Sequence, residues 1–122
     1  MSKALILDTL KTLAAAQDVD IVCLVRKSGD LIASAGNVAA LQLETFGIMS
    51  ATIYGAANTA NEHLGKEPPE RIVIRSSDGD TVITGVTRMA ILVLRTKGGE
   101  NFSKILNDID KTVEMLQEAG GI

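Results

Sequence analysis

The segment from residue 45 to residue 61 contains no charged side chain, although charged residues make up 22% of the chain. Gly65 and the pair Pro68-Pro69 follow it, and both signals end helices, so the sequence predicts one long helix from about residue 40 to residue 64. A helix on a protein surface normally carries charged residues on the side away from the core. The missing charge therefore predicts that both faces of this middle helix are buried.

Two opposite stripes of the middle helix are assigned different neighbours, using a rotation of about 100° per residue. The stripe predicted to face the domain's own sheet consists of Phe46, Ser50, Ile53, Ala57, Ala60 and Leu64. The opposite stripe consists of Gly47, Ala51, Gly55, Asn58 and Glu62.

Glycine destabilises a helix interior by about 1 kcal/mol relative to alanine, so Gly47 and Gly55 on one stripe indicate that another backbone approaches closely. The neighbour is either a loop or helix of the same domain or the same helix from a second copy. A chain of 122 residues has few elements left to form a third layer, which favours a homodimer.

The remaining sequence predicts two further helices and five strands. Hydrophobic periodicity indicates a first helix over Lys3–Ala16 and a last helix from Phe102, with Asn101 as N-cap and Gly120 at its end. Turn residues indicate two hairpins: residues 21–25 and 31–35 around Ser28-Gly29-Asp30, and residues 72–74 and 81–86 around Asp78-Gly79. The apolar run of residues 89–94 predicts a fifth strand, although no glycine or proline marks the turn before it.

Several of these strands are apolar at consecutive positions, which is typical of a sheet covered on both faces. We therefore predict one α/β domain, an α+β sandwich over residues 1–122 with a central, mainly antiparallel five-stranded sheet. The element order is α-β-β-α-β-β-β-α, with the long middle helix on one face and the terminal helices on the other.

The third strand has the composition of a sheet edge. Arg71-Ile72-Val73-Ile74-Arg75 combines β-branched residues with a charge at each end. Such an edge is either protected by its charges or paired with a partner strand that extends the sheet, and the sequence leaves both possibilities open.

Composition argues against several classes of protein. Acidic residues outnumber basic ones by 15 to 12, and only 2% of residues are aromatic, which argues against phosphate contacts and base stacking, and so against nucleic acid. No apolar run approaches the length of about 20 residues that crosses a membrane, and the N-terminus does not resemble a signal peptide. With Cys23 as the one cysteine, no internal disulfide can form, so we expect a cytoplasmic protein.

Cys23 and His63 are the first residues to consider for catalysis. Cys23 lies in an apolar strand, where a thiol usually acts as a small buried hydrophobic group. His63 lies near the end of the middle helix, and nothing in the spacing pairs it with Cys23 as nucleophile and base. One cysteine and one histidine are also too few for a zinc site.

Other polar motifs have ordinary structural explanations. Asp78 and Asp80 flank a hairpin glycine, and Gly65-Lys66 and Gly98-Gly99 lack the spacing of a phosphate-binding loop. We therefore expect no catalytic residue, no metal and no cofactor.

The order of elements and four segments resemble the roadblock family of dynein light chains and small GTPase regulators. The segments are SGDLIASAG at residues 28–36, AANTA at residues 56–60, GDTVI at residues 79–83 and MAILVL at residues 89–94. The resemblance spans nearly the whole chain.

The resemblance implies a homodimer in which the middle helices pair side by side and the third strands join into one sheet. It also implies a Ras-like small GTPase as partner, docked on a surface that the dimer builds. The implied self-interface consists of Gly47, Ala51, Gly55, Asn58, Arg71, Ile72, Val73, Ile74 and Arg75. Three basic residues, Arg88, Arg95 and Lys97, are available to contact an acidic partner, although simple solvent exposure also accounts for them.

An alternative is a ligand-sensing module, because small-molecule sensor domains also combine a five-stranded sheet with flanking helices. Such a module needs a pocket of at least about 300 Å³ lined by a few convergent polar groups. Aliphatic, closely packed strands argue against one here.

Overall fold

The computed structural model describes residues 3–16, 19–36, 39–98, 101–120 and 122, apart from the side chains of residues 16, 40 and 41. The elements are α1 (Lys3–Ala16), β1 (Val19–Arg26), β2 (Leu31–Gly36), α2 (Ala40–His63), β3 (Arg71–Ser76), β4 (Gly79–Gly85), β5 (Ala90–Thr96) and α3 (Phe102–Ala119). This order confirms the predicted sequence of helices and strands.

The five strands form one sheet in the order β2-β1-β5-β4-β3, and each neighbouring pair is antiparallel. The chain thus forms two hairpins, and β5 lies at the centre of the sheet between β1 and β4. The strands β2 and β3 are the two edges, so the predicted edge position of β3 is confirmed.

Helices cover both faces of the sheet, as predicted. In β1, Val22 and Leu24 pack with α1 and α3, whereas Ile21, Cys23 and Val25 lie in a second cluster with residues of α2. Because side chains alternate along a strand, these consecutive apolar residues need cover on both sides. The middle helix therefore lies on one face of the sheet and the terminal helices on the other.

The helix α3 begins and ends at the predicted residues. The Asn101 side chain accepts a hydrogen bond from the Lys104 backbone N–H at 3.1 Å, and Gly120, with a positive φ, follows the last helical residue. One stripe of α3 is buried on the sheet and comprises Ile105, Ile109, Thr112, Val113 and Leu116.

The β3–β4 hairpin turns one residue earlier than predicted. Ser76 pairs with Gly79, so Ser77 and Asp78 form the two-residue loop. Gly79 has a φ of 132°, and a Cβ atom there would overlap the backbone carbonyl oxygen of Thr96 in β5. A side chain at this position is therefore excluded both by backbone conformation and by the neighbouring strand.

We predict that Gly79→Ala lowers the free energy of unfolding by at least about 3 kcal/mol, because it combines backbone strain with a clash against a fixed strand. Gly65→Ala is the control, since Gly65 also has a positive φ but an added Cβ atom would have no heavy atom within 4 Å. Gly65→Ala should lower the free energy of unfolding by only about 1 kcal/mol. Urea unfolding of both variants checks this, and equal losses would contradict it.

None of the helices in the described part of the chain is both long and apolar enough to cross a membrane.

Candidate functional site

The side of α2 that contacts the sheet differs from the predicted one. Gly47, Ser50, Ala51 and Tyr54 are buried on this side, and a Cβ on Gly47 would lie 3.5 Å from Val25 Cγ2. The prediction that Gly47 and Ala51 face away from the sheet is therefore wrong. Their small size lets the α2 backbone approach its own sheet.

The predicted sheet-facing stripe is also wrong in part. Ser50 is buried, and Phe46 and Ala57 are half-buried, but Ile53, Ala60 and Leu64 are exposed. Tyr54, which the prediction did not place on the sheet, is buried in the core on this side. Its hydroxyl donates a hydrogen bond to the Pro69 carbonyl oxygen at 2.9 Å, and burial raises the pKa of the phenol above its usual value.

The exposed side of α2 has no charged residue from Thr45 to Ala60. This outer face comprises Thr45, Ile48, Met49, Thr52, Ile53, Gly55, Ala56, Thr59 and Ala60. The side chains of Ile48, Met49 and Ile53 are 48%, 51% and 39% exposed. Large apolar side chains grouped on one exposed face indicate a surface that binds another protein.

One of the four helix residues predicted for a self-interface lies on this outer face. Gly55 is exposed, and a Cβ atom added there would have no heavy atom within 4 Å. Asn58 is half-buried on the same side of α2 as Ala51 and Tyr54, and its buried Oδ1 atom has no hydrogen-bond partner in the described part of the chain. Ile48 and Met49 were not predicted as exposed residues, because no charged residue between residues 45 and 61 distinguishes one side of the helix from the other.

The strand β3 presents an open edge. The Gly85 N–H donates to the Glu70 carbonyl oxygen at 3.0 Å, and alternate residues of an antiparallel pair exchange such bonds. This alternation directs the backbone groups of Arg71, Val73 and Arg75 away from β4. They are the groups that an added strand would bind.

The charged side chains at this edge are engaged by the chain itself. Arg71 forms an ion pair with Asp110 of α3, and its Nε donates to Thr84 Oγ1 at 3.3 Å. Arg75 lies 3.0 Å from an Asp80 carboxylate oxygen, and its guanidinium carbon lies 4.9 Å from the centre of the Phe102 ring. Both side chains are held towards α3 and the hairpin, which leaves the backbone edge accessible.

Of the remaining candidates, Cys23 is completely buried, and desolvation raises the pKa of its thiol to about 12. This confirms its predicted place in the core. His63 is exposed at the last position of α2. No group of three or more potential metal-ligating side chains occurs within the described ranges.

The two aspartates of the β3–β4 hairpin bind arginines. Asp78 accepts a hydrogen bond from Arg95 Nη2 at 2.9 Å. Asp80 is buried, pairs with Arg75, and its backbone N–H donates to Thr96 Oγ1 at 2.8 Å. These contacts support the prediction that both aspartates have a structural role in the hairpin. Of the basic residues considered for an acidic partner, Arg95 is thus held in the hairpin, whereas Arg88 and Lys97 are exposed.

We predict that the Cys23 thiol of the folded protein does not react with a thiol reagent at about pH 8, because only the thiolate is nucleophilic. A folded-state pKa of about 12, above the ordinary 9.0, contributes stability that is present below pH 9.0 and is lost as the pH rises towards 12. The absorbance of the thiol reagent, with and without urea, measures the reactivity of Cys23 in the folded and unfolded protein. In Cys23→Ala the alkaline loss of stability should be smaller, and rapid stoichiometric labelling of the folded protein would contradict the prediction.

The chain forms a three-layer α/β domain that has an uncharged, exposed helix face and an open sheet edge. The chain belongs to the Roadblock/LC7 domain family, whose family model matches residues 5–96. No curated protein matches the chain.

Three solved structures share its fold. Myxococcus xanthus MglB has a TM-score of 0.92 at 19% sequence identity, over 97% of this chain and 89% of that one. An MglB with a tetrameric arrangement has a TM-score of 0.86 at 15% identity, over 95% of this chain and 88% of that one. The gliding protein MglB from Thermus thermophilus has a TM-score of 0.84 at 16% identity, over 93% of this chain and 86% of that one.

Proposed function

We propose that this chain is a non-catalytic, cytoplasmic module that forms a homodimer and regulates or scaffolds a small Ras-like GTPase. The observation that carries the proposal is the exposed, uncharged outer face of α2. Membership of the Roadblock/LC7 family supports it, because small GTPase regulators belong to that family.

The dimensions of the sheet favour a second copy as the neighbour of α2. Five strands spaced about 4.8 Å apart span about 19 Å, whereas one helix with its side chains is about 10–12 Å wide. Within the described ranges, two helices cover one face of the sheet and one helix, α2, covers the other. On that side Phe46, Ile72 and Ile74 are only partly buried. An α2 helix from a second copy would cover the remaining surface.

The proposed self-interface consists of the outer face of α2 together with Asn58 and residues 71–75 of β3. Gly55 lets the two helix backbones approach, and Ile48, Met49 and Ile53 supply apolar area. Gly47 and Ala51 are not proposed as contacts, because the chain's own sheet covers them.

The arginines of β3 are compatible with strand pairing across a two-fold axis. Antiparallel pairing centred on Val73 places Arg71 of one copy opposite Arg75 of the other, an arrangement of like charges that is unfavourable by itself. The carboxylates of Asp110 and Asp80 offset these charges within each copy. The tetrameric arrangement of one MglB supports the view that this fold associates with itself.

We predict that Met49→Glu weakens self-association by about 100-fold or more, because it places a charge in a desolvated apolar contact. Met115→Glu is a matched control, since Met115 is 52% exposed on α3. Gly55→Glu should act like Met49→Glu. Sedimentation over a range of concentrations measures all three. A wild-type protein that remains a single copy at high concentration would overturn the proposed dimer.

We predict that the wild-type protein binds at least one small Ras-like GTPase of its host in either the GDP state or the GTP-analogue state. Binding is measured by pull-down with purified GTPases, and its effect by the rate of GTP hydrolysis. Met49→Glu should lose binding if the dimer builds the docking surface, whereas Met115→Glu should retain it. Absence of binding in both nucleotide states, with unchanged hydrolysis, would reject the regulatory role.

A further inference from the structure

A cavity of about 580 Å³ lies at the end of the sheet where β4 ends and β3 begins. Its walls come from α2, the Pro68-Pro69 segment, the β4–β5 turn and α3. This volume falls within the range of small-molecule sites, which is about 300–1,000 Å³. The close packing of the strands does not exclude the cavity, because it lies beyond their ends.

Hydrogen bonds hold the walls in place. The Tyr54 hydroxyl is bound to the Pro69 carbonyl oxygen, and Gln117 Nε2 of α3 donates to the Val86 carbonyl oxygen at 2.8 Å. These bonds join elements that are distant in the sequence. The cavity is therefore formed before any ligand binds, which lowers the entropic cost of binding.

Two basic residues, Lys27 and Arg88, line the cavity. The Lys27 N–H donates to the Met89 carbonyl oxygen at 2.8 Å, so the pairing of β1 with β5 brings Lys27 close to Arg88. Neither side chain forms an ion pair with a residue of the described part of the chain, and Lys27 Nζ lies 5.0 Å from the centre of the Tyr54 ring. Positive charges that no ion pair within the described chain neutralises attract an anion.

The other charged residues of the lining are Arg71, Asp110 and Glu70. Arg71 and Asp110 neutralise each other, and Glu70 is exposed. The lining thus has a net charge of about +1 in a chain whose net charge is −3.

We propose that this cavity binds a small organic anion whose phosphate or carboxylate group lies between Lys27 and Arg88. The exposed Pro68 would contact the apolar part of the ligand. The inference goes beyond the proposed GTPase role and does not depend on it, because the cavity is complete within one copy of the chain.

Inorganic phosphate and succinate, titrated separately into the full-length protein at low salt, are the probes. Backbone amide shifts in NMR spectra are the readout. We expect saturable shifts at Lys27, Gly85 and Arg88 with at least one probe, and the tighter probe identifies the class of anion. Arg88→Gln should weaken binding about tenfold. Lys11→Gln, which removes an exposed charge from α1, should leave it unchanged.

Lys27→Gln provides a second variant in case Arg88→Gln perturbs folding. The proposal is overturned if neither probe saturates at roughly 10 mM. It is also overturned if Lys11→Gln weakens binding as much as Arg88→Gln does, because the attraction would then belong to the whole chain. Sedimentation of the same samples shows separately whether the dimer forms.

Discussion

The structure depends on strands that are apolar at successive positions and therefore need cover on both faces. In β1 and β5 neighbouring side chains point to opposite sides, and the apolar ones are buried on both. The terminal helices meet this requirement together on one face, and α2 meets it alone on the other. Because one helix covers this face, its backbone packs closely on the sheet at Gly47 and Ala51. For the same reason, the apolar residues beside α2 are only partly buried.

The order and position of the elements could be predicted because each depends on local signals. Asn101 and Gly120 delimit α3, the glycine-containing turns divide the hairpins, and the flanking arginines indicate the edge strand. The hairpin of β3 and β4 differed by one residue, since Ser77-Asp78 forms the loop and Gly79 begins the next strand. There the close approach of Thr96 in β5 requires the glycine, and contacts between distant residues are not visible in a local pattern.

The orientation of α2 could not be predicted for a different reason. Small residues indicate that another backbone packs closely against the helix, but they do not identify that backbone. Gly47 serves the contact with the chain's own sheet, whereas Gly55, two turns later, faces outward. The cavity could not be predicted either, because its lining residues are spread through the sequence from Lys27 to Gln117. They come together only when the sheet and both neighbouring helices are assembled.

The neutral composition of the outer face of α2 has a consequence for partner choice. Related chains commonly avoid mispairing by placing like charges opposite each other, and this surface has none. In the proposed dimer, recognition on this face would rest on the shapes of isoleucine, methionine, threonine, alanine and glycine. A paralogue with similar contours would meet no electrostatic barrier, so mixed assemblies could arise from a change in relative expression without any change in sequence.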